Sequence, residues 1–216
     1  MGDLPLDERV ALAASYLINP MCLPPLAFGL ILSHFQASSG EIGLIVSIAF
    51  LVFCIIPVAY IVWKMRCGVI AELDVPERKN RTGVLLVSMG AIVVGGILIY
   101  QVGVTVVPLM VSIMVSYLIN TVVLLVINLF WKISIHLIGL AGVWATLFFV
   151  MNLPDAGTGV IQGTWMIPVL LLIPFLMWAR VRLGAHTRAQ VVVGAIVGLL
   201  GQYGVLYLIN DLSFLS

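Results

Sequence analysis

The sequence predicts an all-α integral membrane protein, a bundle of six to seven transmembrane helices forming a single membrane-embedded domain over residues 1–216. Of the 216 residues, 62% are hydrophobic and only 9% are charged, whereas an ordinary soluble domain carries about 25% charged residues. The apolar residues form continuous runs without the alternation that membrane β-strands show. At roughly 20 residues per crossing, these runs fill nearly the whole chain and leave no room for an extramembrane domain.

Seven apolar runs are the candidate crossings. The first contains Pro20, Pro24 and Pro25, each of which removes a helix hydrogen bond, so we expect it to be broken or only partly inserted. In the last run, Gly194 and Gly198, followed by Gly201 and Gly204, form a stripe of small residues that allows a neighbouring helix to approach closely. The runs are Val10–Phe35, Ile42–Trp63, Gly83–Tyr100, Val104–Phe130, Ile135–Val150, Thr164–Trp178 and Val191–Ile209.

The basic residues all fall on one face if there are seven crossings. The positive-inside rule then predicts a multi-pass protein of the cell membrane with this face in the cytoplasm. A net charge of +1 argues against a nucleic-acid partner, which requires a clustered excess of positive charge. Cys22, Cys54 and Cys67 lack the spacing of metal ligands. The ten basic residues are Arg9, Lys64, Arg66, Arg78, Lys79, Arg81, Lys132, Arg180, Arg182 and Arg188.

Three polar islands lie on the basic face, at residues 72–81, 131–136 and 179–186. Two crossings separate each island from the next, so all three reach the same side of the membrane. The second and third islands hold His136 and His186 among lysines and arginines. Basic side chains bind phosphate oxygens, while one imidazole can attack phosphorus and another can protonate the leaving oxygen. The islands therefore predict phosphoryl transfer without a metal or other cofactor; the alternative role of the arginines is interfacial anchoring to lipid phosphates.

The islands resemble the three signatures of the type 2 phosphatidic acid phosphatase superfamily. Arg180, five residues and His186 match the third signature, S-R-x5-H-x3-D. Ser134-Ile135-His136 is similar to the second, P-S-G-H, and Asp74 to Arg81-Thr82 has the spacing of the first, K-x6-R-P. The resemblance covers about residues 60–205 and identifies a divergent member, because Asp74 replaces the family Lys and Gln190 replaces the family Asp.

The resemblance implies a lipid phosphatase that forms a phosphohistidine intermediate. Its substrate would be a lipid phosphomonoester or an isoprenoid (polyprenyl) diphosphate, taken from among the surrounding membrane lipids. His186 would be the nucleophile, His136 the general acid, and Arg180 a catalytic phosphate ligand. Gln190 and Asp74 are candidates to orient the nucleophilic imidazole. The predicted substrate-binding residues are Arg78, Lys79, Arg81, Lys132, Ser134 and Arg182.

Several alternatives stay open at this point. The neutral Gln190 favours a catalytically silent relative that binds a lipid phosphate or polyprenyl carrier. A small transporter with intramembrane histidines is a third interpretation, and it would need discontinuous helices meeting at mid-membrane. Bacterial members of the resembling family mostly act on the outer face, which conflicts with the cytoplasmic face that the charges predict. A homo-oligomer is also compatible with such a bundle.

Overall fold

The computed structural model describes residues 4–73, 75, 77–103, 106–153 and 160–213, and this part of the chain is helical with no strand. Five helices, α3, α4, α5, α7 and α8, are long and apolar enough to cross a membrane. The all-α, multi-pass prediction is thus confirmed, while the number of six to seven crossings is not. The helices are α1 (Leu6–Leu17), α2 (Leu23–His34), α3 (Ser39–Arg66), α4 (Arg78–Val102), α5 (Val107–Phe130), α6 (Ile135–Met151), α7 (Gly163–Arg182) and α8 (Arg188–Asp211).

The first predicted run, Val10–Phe35, is divided into two helices. Each of α1 and α2 has 12 residues and is about 18 Å long, well short of the roughly 30 Å hydrocarbon core. Between the two helices, Asn19 provides acceptors for two backbone N–H groups. Its Oδ1 accepts from Met21 N, and its carbonyl oxygen accepts from Cys22 N. Two prolines then occupy the first turn of α2, where a missing N–H costs nothing.

The ends of the helices meet at one end of the bundle. The start of α1 is bonded to the end of α7, because Arg182 forms ion pairs with Asp7 and Glu8. The end of α5 is bonded to the start of α4, because Asn128 Nδ2 donates to Arg78 O at 3.1 Å. The three polar islands lie at this end, which we call the cationic end.

Helix α6 is the central helix of the bundle. Eleven of its 17 residues are buried, and it packs against α2, α7 and α8. A helix that is apolar on every side is expected in such an interior position. The second polar island directly precedes α6 and is therefore held at the centre of the cationic end.

The predicted glycine stripe lies where α8 crosses α6. A Cβ on Gly194 would be 2.9 Å from Ser134 O, and one on Gly198 would be 2.6 Å from Ile138 O. Both obstacles are backbone atoms, so only glycine permits this approach. The prediction of close packing is confirmed at Gly194 and Gly198 and, against the Asn120 side chain, at Gly201, but it is wrong for Gly204, where a Cβ would meet no atom within 4 Å. The close approach places the start of α8 against the start of α6.

Gly198→Ala is expected to destabilise the protein by about 1–3 kcal/mol, because the added methyl group forces α6 and α8 apart. Gly204→Ala in the same helix is the matched control, since a Cβ there meets no atom within 4 Å. Thermal unfolding in detergent compares the two. Equal melting temperatures for both variants would contradict the packing described above.

Candidate functional site

Arg81 joins the first polar island to the second. Its Nε donates to Val75 O at 2.8 Å, and its Nη1 donates to Ile133 O at 3.2 Å. Val75 has a φ of 44°, a left-handed conformation that is strained for a β-branched residue. The carbonyl oxygen of this strained residue thus accepts a hydrogen bond from Arg81, which lies in the first turn of α4.

Ser134 is the buried polar residue at the start of α6. Its N–H donates to Gln190 O at 3.4 Å, which bonds the second island to α8. Its hydroxyl is also buried and has no hydrogen-bond partner within the described residues, although Ser134 occupies the N-cap position of α6. An orphaned buried hydroxyl is uncommon in a folded protein, and it marks a position where a ligand oxygen would be accommodated.

The third island folds back on itself at the end of α7. Gly184, with a φ of 64°, reverses the chain, and His186 N donates to Arg180 O at 3.3 Å. Helix α8 then begins with a capping box in which Thr187 Oγ1 accepts from Gln190 N and Gln190 Oε1 accepts from Thr187 N. The turn and the cap together hold the imidazole over the start of α8.

The capping box determines the tautomer of His186. Gln190 Oε1 lies 3.1 Å from Thr187 N and 3.1 Å from His186 Nδ1. Because the backbone N–H of Thr187 is a donor, the Gln190 atom is an acceptor, and His186 Nδ1 must carry a proton to bond to it. The lone pair of the neutral ring is therefore on Nε2, the atom a nucleophilic histidine would use.

The site is buried and strongly cationic. Burial above all, together with the charges of Arg81, Arg180 and Lys132, lowers the pKa of His186 to about 4, although the bond to Gln190 acts in the opposite direction. One cation from each of the three polar islands therefore acts on the same imidazole. The exposed fractions are 0% for Ser134, 3% for Arg180, 4% for Arg81 and 6% for His186.

We expect His186 to stay neutral down to about pH 4 in the ligand-free protein. An unfolded histidine titrates near 6.5, so the unfolded state binds the proton first and stability declines as the pH falls from about 6.5 towards 4. NMR of histidine-labelled protein in micelles measures the titration, with His186→Asn assigning the signal.

Gln190→Glu is the comparison for this titration. The glutamate keeps the length of the capping side chain and adds a negative charge beside the ring, which should raise the pKa of His186. A His186 signal that titrates at its ordinary pKa in the parent protein would show that the ring is neither buried nor surrounded by cations.

The starts of three helices contribute further positive potential. Helices α4, α6 and α8 all begin at the cationic end, and the bonds of Arg81 and Ser134 join those three starts to one another. The N-terminus of a helix carries roughly half a positive charge and free N–H groups. The arrangement suits a multiply charged anion.

The remaining predicted residues are placed differently. His136 lies half-buried in the first turn of α6, and Lys132 is half-buried just before it. Arg78 and Lys79 are exposed at the rim. Arg182 is also removed from the cluster, because its Nε is 2.6 Å from Asp7 Oδ2 and its Nη1 is 3.0 Å from Glu8 Oε1. The predicted orienting role of Asp74 falls outside the described residues.

Three supporting residues were not predicted from the sequence. Val75 and Asn128 position α4, and nothing in their sequence neighbourhood indicates it. Thr187 does have a detectable signal, since Thr-x-x-Gln before an apolar run is the pattern of a capping box. That pattern already places Gln190 at the third helical position.

Comparison with protein-family models, with curated proteins and with solved structures finds no match for this chain. The site must therefore be interpreted from its own geometry. Within the described ranges, no group of three or more His, Cys, Asp or Glu side chains is arranged to hold a metal ion.

Proposed function

We propose that the protein is a metal-independent lipid phosphate phosphatase of the type 2 phosphatidic acid phosphatase kind, acting through a phosphohistidine on His186. The observation that carries this proposal is the state of that imidazole. Its Nδ1 proton is held by Gln190, its Nε2 lone pair is available, and Arg81, Arg180 and Lys132 surround it with positive charge.

In the first step, His186 Nε2 attacks the phosphorus of a lipid phosphate. The Nε2–P bond forms as the bond from phosphorus to the lipid oxygen breaks, and the leaving oxygen takes a proton from His136. The arginines and Lys132 compensate the charge on the transferring phosphoryl oxygens, and the Ser134 hydroxyl donates to one of them. Gln190 Oε1 still accepts from Nδ1 when the ring becomes cationic.

In the second step, water attacks the phosphorus of the phosphohistidine. His136, now neutral, accepts a proton from that water, the N–P bond breaks, and the electron pair returns to Nε2. Inorganic phosphate leaves, and both histidines recover their initial states. Gln190 supplies no negative charge to the cationic ring, so we expect slower turnover than a carboxylate would support.

Brief exposure of purified protein to a lipid phosphate labelled with ³²P, followed by alkaline quenching, tests this proposal. Phosphohistidine is stable in alkali and labile in acid, so label that survives alkali and is released by acid should map to the peptide containing His186. A protein that binds the lipid and releases phosphate without any such label uses a different mechanism.

A second candidate function is a silent lipid-phosphate or polyprenyl-carrier binding protein on the same scaffold. The observation favouring it is the neutral amide of Gln190 beside His186, where the resembling family has a carboxylate. The trapping experiment separates the two candidates, because a silent binder retains the lipid but forms no labelled histidine.

The proposal includes seven crossings of the cell membrane, with α1 and α2 together making the first and α6 making the fifth. In this topology the cationic end, including Cys67 just after α3, is cytoplasmic. Retaining Cys67, which is exposed, in a Cys22→Ala, Cys54→Ala background gives one label site. A membrane-impermeant maleimide should modify it only after the cells are permeabilised.

Gln101→Cys, at the opposite end of α4 in a background without native cysteines, is the matched control. It should be modified in intact cells. Modification of Cys67 in intact cells, with protection of position 101, would place the site outside and overturn the orientation that the charges predict.

A further inference from the structure

An apolar cavity begins directly beneath the cationic end. Ile135, which lines it, stands between Ser134 and His136 in the chain, and Val84, another lining residue, lies one turn beyond Arg81. The walls continue along α4 to Ile92, about 17 Å from Arg81 at 1.5 Å per residue. The space thus leads from the phosphate-binding residues towards the middle of the bundle.

The cavity is bounded by three irregular segments of the chain: the break between α1 and α2 and one π-helical stretch in each of α3 and α8. Pro20 and Met21 of the break between α1 and α2 line it, as does Phe53, which belongs to a π-helical stretch of α3, Leu51–Ile55. Gly198 lines it from a second π-helical stretch, in α8. Non-helical backbone at membrane depth is tolerated where it lines a cavity, and π-helical turns are frequent at functional sites.

Two buried polar side chains, Asn120 and Gln202, line the inner part of the cavity, and Gln202 is bonded in turn to Ser116. Asn120 Nδ2 donates to Gln202 Oε1 at 2.6 Å, and Gln202 Nε2 donates to Ser116 Oγ at 2.6 Å. These three residues are buried and bond mainly to one another. Contact with these polar groups does not stabilise a hydrocarbon chain, so they set the depth to which a hydrocarbon can enter.

The volume allows one hydrocarbon chain. It is about 160 Å³, close to the roughly 150 Å³ of an engineered apolar cavity that binds benzene. Such a space accepts the first several carbons of a single chain, and it does not accept two chains side by side.

We propose that this cavity binds the head-proximal part of a single hydrocarbon chain, so that the substrate is a single-chain lipid phosphate, either an isoprenoid or a linear alkyl phosphate. The inference rests on the proposed function, since it assumes that the phosphate lies among Arg81, Arg180 and His186. The chain enters past Ile135 and Val84 and ends before Asn120.

Filling the cavity tests this proposal. Ser88→Phe adds bulk to the wall, and the Ser88 hydroxyl bonds only within its own helix, to Val84 O. Ser47→Phe is the matched control, because Ser47 is exposed and also bonds only within its helix, to Gly43 O. The substrates are farnesyl phosphate, dodecyl phosphate, dioleoyl phosphatidic acid and the soluble p-nitrophenyl phosphate.

In the parent protein, kcat/KM for each single-chain substrate should exceed that for dioleoyl phosphatidic acid at least tenfold. The kcat/KM for a single-chain substrate, divided by that for p-nitrophenyl phosphate, should fall at least tenfold in Ser88→Phe and less than twofold in Ser47→Phe. If farnesyl phosphate alone is preferred, the chain is isoprenoid; if dodecyl phosphate is equal, any narrow chain suffices. Equal ratios in the two variants, or a preference for the two-chain lipid, would overturn the proposal.

A binding measurement distinguishes failure of this proposal from failure of the proposed function. The probe is a dodecyl phosphonate, which cannot be hydrolysed, with a photoreactive diazirine at its eighth carbon. Crosslinks at Ser88 or Thr121, which line the cavity on the near side of Asn120, would support chain binding even in a protein without phosphatase activity. Crosslinks confined to the exposed Leu86 and Val93 would show that the chain lies outside the bundle.

Discussion

His186→Asn is expected to lower the rate of phosphate release by about 10⁴-fold or more, in line with the loss of a nucleophile in other enzymes. Asparagine was chosen because its amide can still donate to Gln190 Oε1, so the start of α8 should keep its structure. Release of ³²P from a labelled single-chain lipid phosphate measures the rate, and thermal unfolding checks the fold.

His136→Asn provides the contrast for this experiment. Loss of a general acid costs about 10²–10⁴-fold, and the cost should be smaller for p-nitrophenyl phosphate, whose leaving group needs no proton. His186→Asn should lose activity on both substrates to the same extent, because the nucleophile is required whatever the leaving group. Parent-level turnover by a folded His186→Asn protein would remove this residue from the mechanism.

Arg180→Gln is expected to lower kcat/KM by about 10²–10³-fold, the usual cost of removing one charge-stabilising donor from an active site. Arg180 lies at 3% exposure, and its charge acts on His186, so we expect its guanidinium to bind the phosphate in the proposed reaction. Steady-state kinetics on dodecyl phosphate measure the effect.

Arg182→Gln is the matched control, since it removes the same charge two residues further along α7. Arg182 forms ion pairs with Asp7 and Glu8 at the surface, and exposed pairs of this kind add little to stability because water screens them. We expect less than a threefold change in kcat/KM. Equal losses in the two variants would show that the whole cationic end, and no particular arginine, binds the substrate.

Much of the fold could be predicted because lipid imposes one simple rule on the chain, that long apolar runs become helices. The run beginning at Ile135 was located to within a residue of α6. The run Val10–Phe35 was predicted to be broken or only partly inserted because of its prolines, and the structure does divide it into two 12-residue helices around Pro20; the exact bounds of the break could not be derived. Hydropathy is the same in both cases, and the backbone bonds of Asn19 that stabilise the break are visible only in three dimensions.

The candidate site could be predicted in its membership more than in its geometry. Parity of the crossings placed the three polar islands on one side, and the structure brings Arg81, Ser134, Arg180 and His186 together. Counting charges could not distinguish the role of Arg180 from that of Arg182. The two differ because Arg182 pairs with Asp7 and Glu8 of α1, which is remote in sequence. The acceptor role of Gln190 was not predicted either, although the Thr-x-x-Gln pattern of a capping box at Thr187 does indicate it.

The broken first segment has a consequence for the order in which the chain enters the membrane. Neither α1 nor α2 is long enough to be stable there alone, and their packing partners are made later: α2 packs on α3 and α6, and α1 packs on α7. Helix α1 can therefore reach its final packing only after α7, near the end of the chain, has been synthesised. A nascent chain ending after α5 already contains α3, a partner of α2, but it lacks α7, the partner of α1. The first helix to be synthesised is therefore among the last to complete its packing.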